Sequence, residues 1–158
     1  MAGTLLYRTG IAPEWVDYNG HLRDAYYWLI VSFATDALMD QLGLDGLYRE
    51  RTRCTLYTVE AHIHYLREVK QSEQVEVNVR VLDADAKRIH AAFELRTDGH
   101  PESAAGAEVM LLHVQQGETV TTAAFPAAVA DSIARLRAQS AAAAAEGPGS
   151  RQMGLRRG

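Results

Sequence analysis

The sequence predicts an α+β fold, with an antiparallel sheet wrapped around one long central helix and a short helix at the C-terminus. Two patterns of hydrophobic residues predict this architecture. Between Tyr26 and Leu42, apolar residues recur every three or four positions, as on one face of a helix. After Cys54 they alternate with polar residues, which is typical of half-buried strands. The 158 residues are enough for one domain with a substantial core.

The first half of the chain is predicted to contain one strand and one helix. Residues 4–11 are extended and end before Pro13, because proline disfavours helix in the residue that precedes it. The helix that follows carries a wide apolar stripe of Tyr26, Leu29, Ile30, Phe33, Ala34, Ala37, Leu38 and Leu42. Gly43 is typical of a left-handed helix end. Such a wide stripe indicates a helix that the sheet covers on several sides.

Four long strands are predicted next, at residues 54–66, 75–81, 89–95 and 104–115. Turn signals at 83–87 and 98–101 favour a four-stranded antiparallel meander. Strict alternation in the first of these strands predicts two faces. One face carries Tyr57, Val59, Ala61, Ile63 and Tyr65, and the other carries Leu56, Thr58, Glu60, His62 and His64.

The C-terminal region is predicted to contain a helix and a tail. Pro126 opens the helix, which has Val129, Ile133 and Leu136 on one side. Residues 141–158 are rich in alanine and glycine and end in basic residues, and we expect disorder there. The predicted domain therefore covers residues 1–140.

Composition excludes several classes of protein. The net charge of −4 argues against a nucleic-acid partner. A single cysteine, Cys54, excludes an internal disulfide and fits a reducing cytosol. No apolar run reaches membrane-spanning length and no leader pattern is present, so we expect a cytoplasmic protein without membrane contact. No Cys/His cluster or glycine-rich phosphate loop is found, so neither a metal nor a bound cofactor is expected.

The segment from Trp15 to His21 is the strongest functional signal. It places Asp17 and His21 in a tight turn directly before the predicted helix, whose first main-chain N–H groups are unpaired and partly positive. A carbonyl oxygen bound there would be polarised while a carboxylate attacked the carbon or activated water. This arrangement suits acyl transfer or hydrolysis. The alternative is that Asp17 only caps the turn or the helix.

These residues resemble hotdog-fold acyl-CoA thioesterases of the 4-hydroxybenzoyl-CoA thioesterase type. The resemblance extends from residue 5 to about residue 115. It is carried by DYNGH at 17–21, the pair Tyr26–Tyr27, YTVEAH at 57–62, KRIH at 87–90 and EVMLLH at 108–113. Together the motifs are most similar to the branch that hydrolyses betainyl-CoA in carnitine breakdown. Coenzyme A is then part of the substrate and not a cofactor.

The resemblance implies catalytic roles at four positions. Asp17 would be the nucleophile or the general base for water, and main-chain N–H groups around Asp24 to Tyr26 would bind the oxyanion. His21 would orient Asp17, contact the substrate, or only satisfy local backbone groups. Glu60 and His62 share a strand face and would approach Asp17 of a second subunit, unless that face is simply solvated.

Substrate-binding candidates include the turn, an aromatic group and several cations. Asn19 and Gly20 are turn residues, with Gly20 leaving room beside the thioester. The aromatic residues either surround a quaternary ammonium group or belong to the core: Trp15, Tyr18, Tyr26 and Tyr27. Thr58 is predicted to lie on the same strand face as Glu60 and is therefore a further candidate for substrate binding. The phosphates of coenzyme A would contact Arg67, Lys70, Lys87 and Arg88, unless these are solvated charges. Arg23 departs from the betainyl-CoA branch, in which a small polar residue is expected.

A curved sheet over one helix leaves an exposed strand edge, so a homodimer or a dimer of dimers is expected. Two other functions remain open. A hotdog enoyl-CoA hydratase or dehydratase would use Asp17 and His21 as a proton shuttle. A non-catalytic acyl-binding module would keep the fold without the chemistry.

Overall fold

A sheet of six strands and three α-helices make up the structure, a computed structural model that describes residues 3–142. The helices are α1 (Asp24–Leu42), α2 (Gly46–Thr52) and α3 (Ala127–Ala142), and a 3₁₀ turn spans Pro13–Trp15. The strands are β1 (Thr4–Gly10), β2 (Cys54–Tyr65), β3 (Gln74–Ala84), β4 (Arg88–Thr97), β5 (Ala105–Gln115) and β6 (Thr121–Thr122). The expected tail, residues 141–158, lies almost entirely outside the described residues.

The strand order is β1-β3-β4-β5-β2, with β6 paired to the end of β5, and every pairing is antiparallel. The predicted meander is correct for β3, β4 and β5. It is wrong for β2, which pairs with β5 at one edge of the sheet instead of with β3. The reason is the connection 66–73, which takes the chain from one side of the sheet to the other, while β1 occupies the edge of β3.

Helix α1 provides the centre of the core, as predicted. Ile30, Ala34 and Leu38 have no exposed surface. They belong to the same hydrophobic cluster as the alternating apolar residues of the sheet, among them Val77 and Phe93. Burial of each such aliphatic or aromatic side chain contributes about 1.5–3 kcal/mol. The α+β architecture of a curled antiparallel sheet with helices is thus confirmed.

The two ends of α1 differ. At the C-terminal end, Gly43 has φ +86°, and its N–H donates to the carbonyl oxygens of Met39 and Asp40, which is a common helix stop. At the N-terminal end, the N-cap residue is Arg23, whose side chain accepts no N–H of the helix. The carboxylate of Asp24 instead accepts the N–H of Ala25 at 2.9 Å.

A β-bulge in β2 changes which side chains share a face. The register to β5 shifts between Thr58 and Glu60, because one extra residue is inserted at Val59. Leu56 and Thr58 therefore face α1 together with Ala61, and Glu60 lies on the opposite face. The predicted faces of β2 are wrong, because strict alternation holds only on either side of the bulge.

Two short elements were not predicted. Helix α2 is capped by Asp45, whose side chain accepts the N–H of Tyr48 at 2.8 Å, and Tyr48 is its only buried residue. A single buried position leaves no periodic apolar pattern in the sequence. Strand β6 has only two residues. Among residues 3–142, no helix is long and apolar enough to cross a membrane.

Candidate active site

The loop 16–22 holds Asp17 in a closed turn. One carboxylate oxygen, Oδ1, accepts the N–H of Asn19 at 2.8 Å and that of His21 at 3.2 Å. The main chain closes the turn further, because the N–H of Asp17 donates to the carbonyl of His21 at 2.9 Å. Gly20 has φ +78°, a conformation that favours glycine. The Oδ2 atom has no hydrogen bond to any described residue.

These contacts favour the ionised form of Asp17. Its pKa is lowered, mainly by the N–H of His21, and burial opposes this shift only in part. The N–H of Asn19 and the positive charge of Arg23 add to the effect. Hydrogen bonds to a carboxylate stabilise its charged form. Asp17 is therefore ionised at neutral pH.

The start of α1 follows directly on this loop. Arg23 is tied to the preceding chain, because its N–H donates to the carbonyl of Trp15 at 3.0 Å and its Nε donates to that of Val16 at 3.1 Å. A guanidinium group has no acceptor atom, so it cannot cap the helix. Within the described part of the chain, the N–H of Asp24 has no acceptor. A helix start whose first N–H is unpaired thus adjoins the Asp17 loop.

A cleft of about 340 Å³ opens at the same place. It is lined by Leu22, Asp24, Tyr27, Tyr65, Leu66, Arg67 and Glu68. Leu22 and Asp24 come from the loop and the helix start, and the other residues come from α1, the end of β2 and the segment after it. Asp17 does not line this cleft in the single chain.

His21 contacts Asp17 through its main-chain N–H and not through its imidazole. The imidazole Nε2 lies 3.4 Å from Oε2 of Glu68, which is largely exposed. Tyr18 is 93% exposed, and Asn19 is exposed as well. Of the turn residues, the structure brings only the backbone groups of Asn19 and His21 to the Asp17 carboxylate.

The aromatic residues divide into two pairs. Trp15 and Tyr26 are half-buried and stack with 5.7 Å between ring centroids. Tyr27 is only 4% exposed and packs edge-on against Tyr65 at 5.2 Å. Its hydroxyl donates to the carbonyl of Arg67 at 3.3 Å, and burial raises its pKa. Tyr27 is thus a core residue, whereas the stacked pair has surface left for a ligand.

Glu60 and His62 are exposed and lie 3.3 Å apart on the face of β2 that points away from α1. The end of β2 lies near the Asp17 loop. Glu60 is five residues from that end, a distance of about 16 Å along the strand. The single chain therefore does not bring them to Asp17. Thr58 instead lines a second cleft of about 210 Å³.

This second cleft contains a carboxylate, Asp36, that was not predicted from the sequence. Trp28, Ser32 and Asp36 of α1 line it together with Thr58. The three helix residues are spaced four apart, so the helical pattern alone places them on one face. Their spacing was the signal that could have indicated this second cleft.

The four predicted phosphate ligands do not form one cluster, and Arg67 and Lys70 lie in the connection between β2 and β3. Arg67 is held by Glu73 and Thr97. Arg88 contacts Asp85 through Nε at 2.7 Å and Nη2 at 2.5 Å, and this lowers the pKa of Asp85 to about 2. Lys87 lies 3.4 Å from the hydroxyl of Thr122. Lys87 and Arg88 are at the opposite end of β3 from the Asp17 loop. Among residues 3–142, no group of three or more His, Cys, Asp or Glu side chains is placed to hold a metal ion.

The sheet curled over one central helix and the loop at the start of that helix define a hotdog fold. The profile of the thioesterase-like superfamily matches residues 11–133. The chain therefore belongs to the thioesterase-like superfamily.

Two curated relatives share a thioesterase name. The chain is 49% identical over 108 residues to a betainyl-CoA thioesterase of Pseudomonas aeruginosa. The alignment covers 68% of each protein. It is 40% identical over 145 residues to an L-carnitine dehydrogenase/betainyl-CoA thioesterase of Agrobacterium fabrum. That alignment covers 90% of this chain but only 28% of the larger protein.

Two solved structures match nearly the whole chain. A provisionally assigned thioesterase of Pseudomonas putida KT2440 is 42% identical and superposes with a TM-score of 0.86, covering 99% of both chains. A hypothetical protein of Staphylococcus aureus, solved in complex with CoA, is 26% identical with a TM-score of 0.88. That match covers 99% of this chain and 98% of the other.

Proposed function

We propose that this protein hydrolyses the thioester of a small acyl-CoA, with betainyl-CoA as the first candidate. The observation that carries the proposal is the position of Asp17. Its ionised carboxylate is held in a loop that leads directly into the start of α1, where the N–H of Asp24 has no acceptor among the described residues. The names of the relatives, which include betainyl-CoA thioesterases, support the choice of substrate.

The reaction needs one base or nucleophile. As a base, Asp17 takes a proton from water while the water oxygen attacks the thioester carbon. The carbon–sulfur bond then breaks, and the coenzyme A thiolate leaves and is protonated. As a nucleophile, Oδ2 of Asp17 forms a mixed anhydride and releases the thiolate, and water hydrolyses the anhydride afterwards. Both routes remain open.

The first turn of α1 is the candidate oxyanion site. Negative charge develops on the thioester oxygen when the carbon is attacked, and main-chain N–H groups at a helix start stabilise such charge. The free N–H of Asp24 is the best-placed donor. Arg23, the N-cap residue, has no acceptor atom that would occupy this N–H, and the Asp24 carboxylate accepts the N–H of Ala25 instead.

A complete site requires a second chain. Every residue from 57 to 62 in the edge strand β2 is exposed, including Tyr57 at 38% and Val59 at 54%. Two β2 strands that pair antiparallel about a two-fold axis would cover this edge. The end of one sheet that carries Lys87 and Arg88 then lies beside Asp17 of the other chain. These cations become candidates for the phosphates of coenzyme A in a shared site.

The stacked Trp15–Tyr26 pair is the candidate binding surface for the acyl group. In betainyl-CoA the quaternary ammonium is one carbon away from the thioester carbonyl, so it would lie near the helix start, beside this pair. Aromatic faces attract such cations. Arg23 lies at the same place, where its Nε donates to the carbonyl of Val16. Its positive charge would repel the quaternary ammonium group. We place the reaction in the cytoplasm and in carnitine catabolism.

The test measures thiol release and loss of enoyl absorbance with a panel of acyl-CoA and enoyl-CoA substrates. Asp17→Asn keeps an Oδ1 acceptor for the N–H groups of Asn19 and His21, so the loop is preserved and only the charge is lost. The proposal expects thiol release from wild type and from the control Asp131→Asn, but not from Asp17→Asn. Loss of enoyl absorbance without thiol release would indicate a hydratase, and tight binding without turnover an acyl-binding module.

A further inference from the structure

The connection 66–73 between β2 and β3 supports the Asp17 loop. The N–H of Leu22 donates to the carbonyl of Val69 at 2.8 Å, and the N–H of Gln71 donates to that of Gly20 at 3.3 Å. His21 and Lys70 form an isolated antiparallel bridge. The loop is therefore joined by its backbone to a segment that is distant in sequence.

Glu73 closes this connection. Its Oε2 accepts the N–H of Lys70 at 2.6 Å, while its own N–H donates to the carbonyl of Lys70 at 3.0 Å. Its Oε1 accepts the hydroxyl of Thr97 at 2.7 Å and lies 3.2 Å from Nη1 of Arg67. Only 11% of the side chain is exposed. The turn 70–73 is thus closed by one carboxylate and anchored to β4.

Arg67 ties the same network to α1. Its Nη1 donates to the carbonyl of Glu68 at 2.7 Å, and its Nη2 donates to the hydroxyl of Thr97. Its main-chain oxygen accepts the hydroxyl of Tyr27, one turn into α1. The guanidinium group therefore joins the segment 67–68 to β4.

We infer that Glu73 is a positioning residue for Asp17. Oδ1 of Asp17 accepts the N–H of His21, His21 pairs with Lys70, and the N–H of Lys70 donates to Glu73. Glu73 does not touch the substrate. It keeps the loop, and with it the Asp17 carboxylate, at a fixed distance from the start of α1. The inference rests on the proposed role of Asp17 in thioester hydrolysis.

The experiment compares Glu73→Gln with Glu76→Gln. Glu76 is also on β3 and also pairs with an arginine, Arg8, but it does not contact the connection. We expect Glu73→Gln to lower kcat by about 10- to 100-fold with KM changed less than about twofold, because a displaced reactive group costs rate more than binding. Amide hydrogen exchange at Leu22 and Gln71 is expected to accelerate. Glu76→Gln is expected to leave both measurements unchanged.

A second variant, Thr97→Val, covers the possibility that Glu73→Gln does not fold. It removes one partner of the carboxylate and is expected to shift kcat and amide exchange in the same direction by a smaller factor. Unchanged kcat and unchanged exchange in the folded variants would overturn the inference. Full thiol release by Asp17→Asn would instead overturn the proposed function, and amide exchange would still report on the support of the loop.

Discussion

At the scale of single residues, the candidate site is defined by the contacts of the Asp17 carboxylate. Asp17 uses one carboxylate oxygen to hold its own turn and leaves the other free. The sequence indicated this turn, because Asp and Gly in such spacing are typical of one. It could not indicate that His21 contributes its backbone and turns its imidazole to Glu68. Side-chain direction in a loop depends on contacts with distant segments.

Replacing Arg23 is expected to change stability and activity in opposite directions. A serine at this N-cap position would accept first-turn N–H groups and stabilise the protein by about 1 kcal/mol. The serine oxygen would accept the N–H of Ala25 or Tyr26, next to the proposed donor N–H of Asp24, and would compete with the oxyanion for space at the first turn, so kcat is expected to fall. Thermal unfolding and steady-state kinetics of Arg23→Ser measure both effects.

The matched control for the substitution of Arg23 is a substitution of Asp45, the N-cap residue of α2. Asp45→Ala removes a true cap and is expected to lower stability by about 1 kcal/mol without changing kcat. An Arg23→Ser variant that is more stable and fully active would argue against the oxyanion site.

The stacked pair predicts a preference for a cationic acyl group. Its test compares betainyl-CoA with its neutral isostere, 3,3-dimethylbutanoyl-CoA. Cation–π contact worth about 1–2 kcal/mol corresponds to a ratio of kcat/KM of about 5–30 in favour of betainyl-CoA. Trp15→Leu is expected to reduce this ratio and Trp15→Phe to preserve most of it. If wild type prefers the neutral isostere, Arg23 dominates and the betainyl assignment fails.

At the scale of elements, the strand β2 shows where a pattern of alternation stops being reliable. Alternation predicted the strand and its length but not the bulge at Val59, and the bulge reverses the faces of all residues beyond it. A bulge depends on the partner strand, which the local sequence does not contain. Helix α1 was predictable from Asp24 to Gly43, because its apolar stripe and glycine stop are both local signals.

The connection after β2 predicts an acid-dependent loss of stability. Burial opposes ionisation of Glu73 most strongly, yet the N–H of Lys70, the hydroxyl of Thr97 and the charge of Arg67 together lower its pKa. A lowered folded-state pKa means that its contribution is fully present above the unfolded value, about 4.3, and is lost as pH falls through the folded value.

Urea unfolding as a function of pH tests this contribution. Wild type is expected to lose stability as pH falls below about 5, and Glu73→Gln is expected to lose less over the same range because its amide does not titrate. Glu76→Gln, in which the exposed pair with Arg8 is broken, is the control and should keep the wild-type slope. Identical slopes for wild type and Glu73→Gln would contradict the assignment.

At the scale of the whole molecule, the sheet ends at a strand edge that a second copy would cover. The sequence indicated this need from one curved sheet over one helix. It did not indicate the strand order, because a connection of eight residues between β2 and β3 fits both a neighbouring and a distant pairing. The separation of Lys87 and Arg88 from Asp17 follows from that strand order and makes the proposed site a shared one.

Val59→Lys is expected to give a monomer without activity. A lysine on an exposed strand edge prevents strand pairing between chains. Light scattering after gel filtration measures the mass, and thiol release measures activity. Leu47→Lys, at a 66% exposed apolar position on α2, is the control that should remain dimeric and active. A fully active monomer would rule out a site shared between chains.

The most direct test of the whole account is thiol release from betainyl-CoA by wild type and by Asp17→Asn. Because the asparagine keeps the hydrogen bonds of the loop, the comparison isolates the carboxylate charge. In Asp17→Asn, kcat is expected to fall by at least about 100-fold, the lower range for loss of a general base. A kcat for Asp17→Asn equal to that of wild type would contradict it.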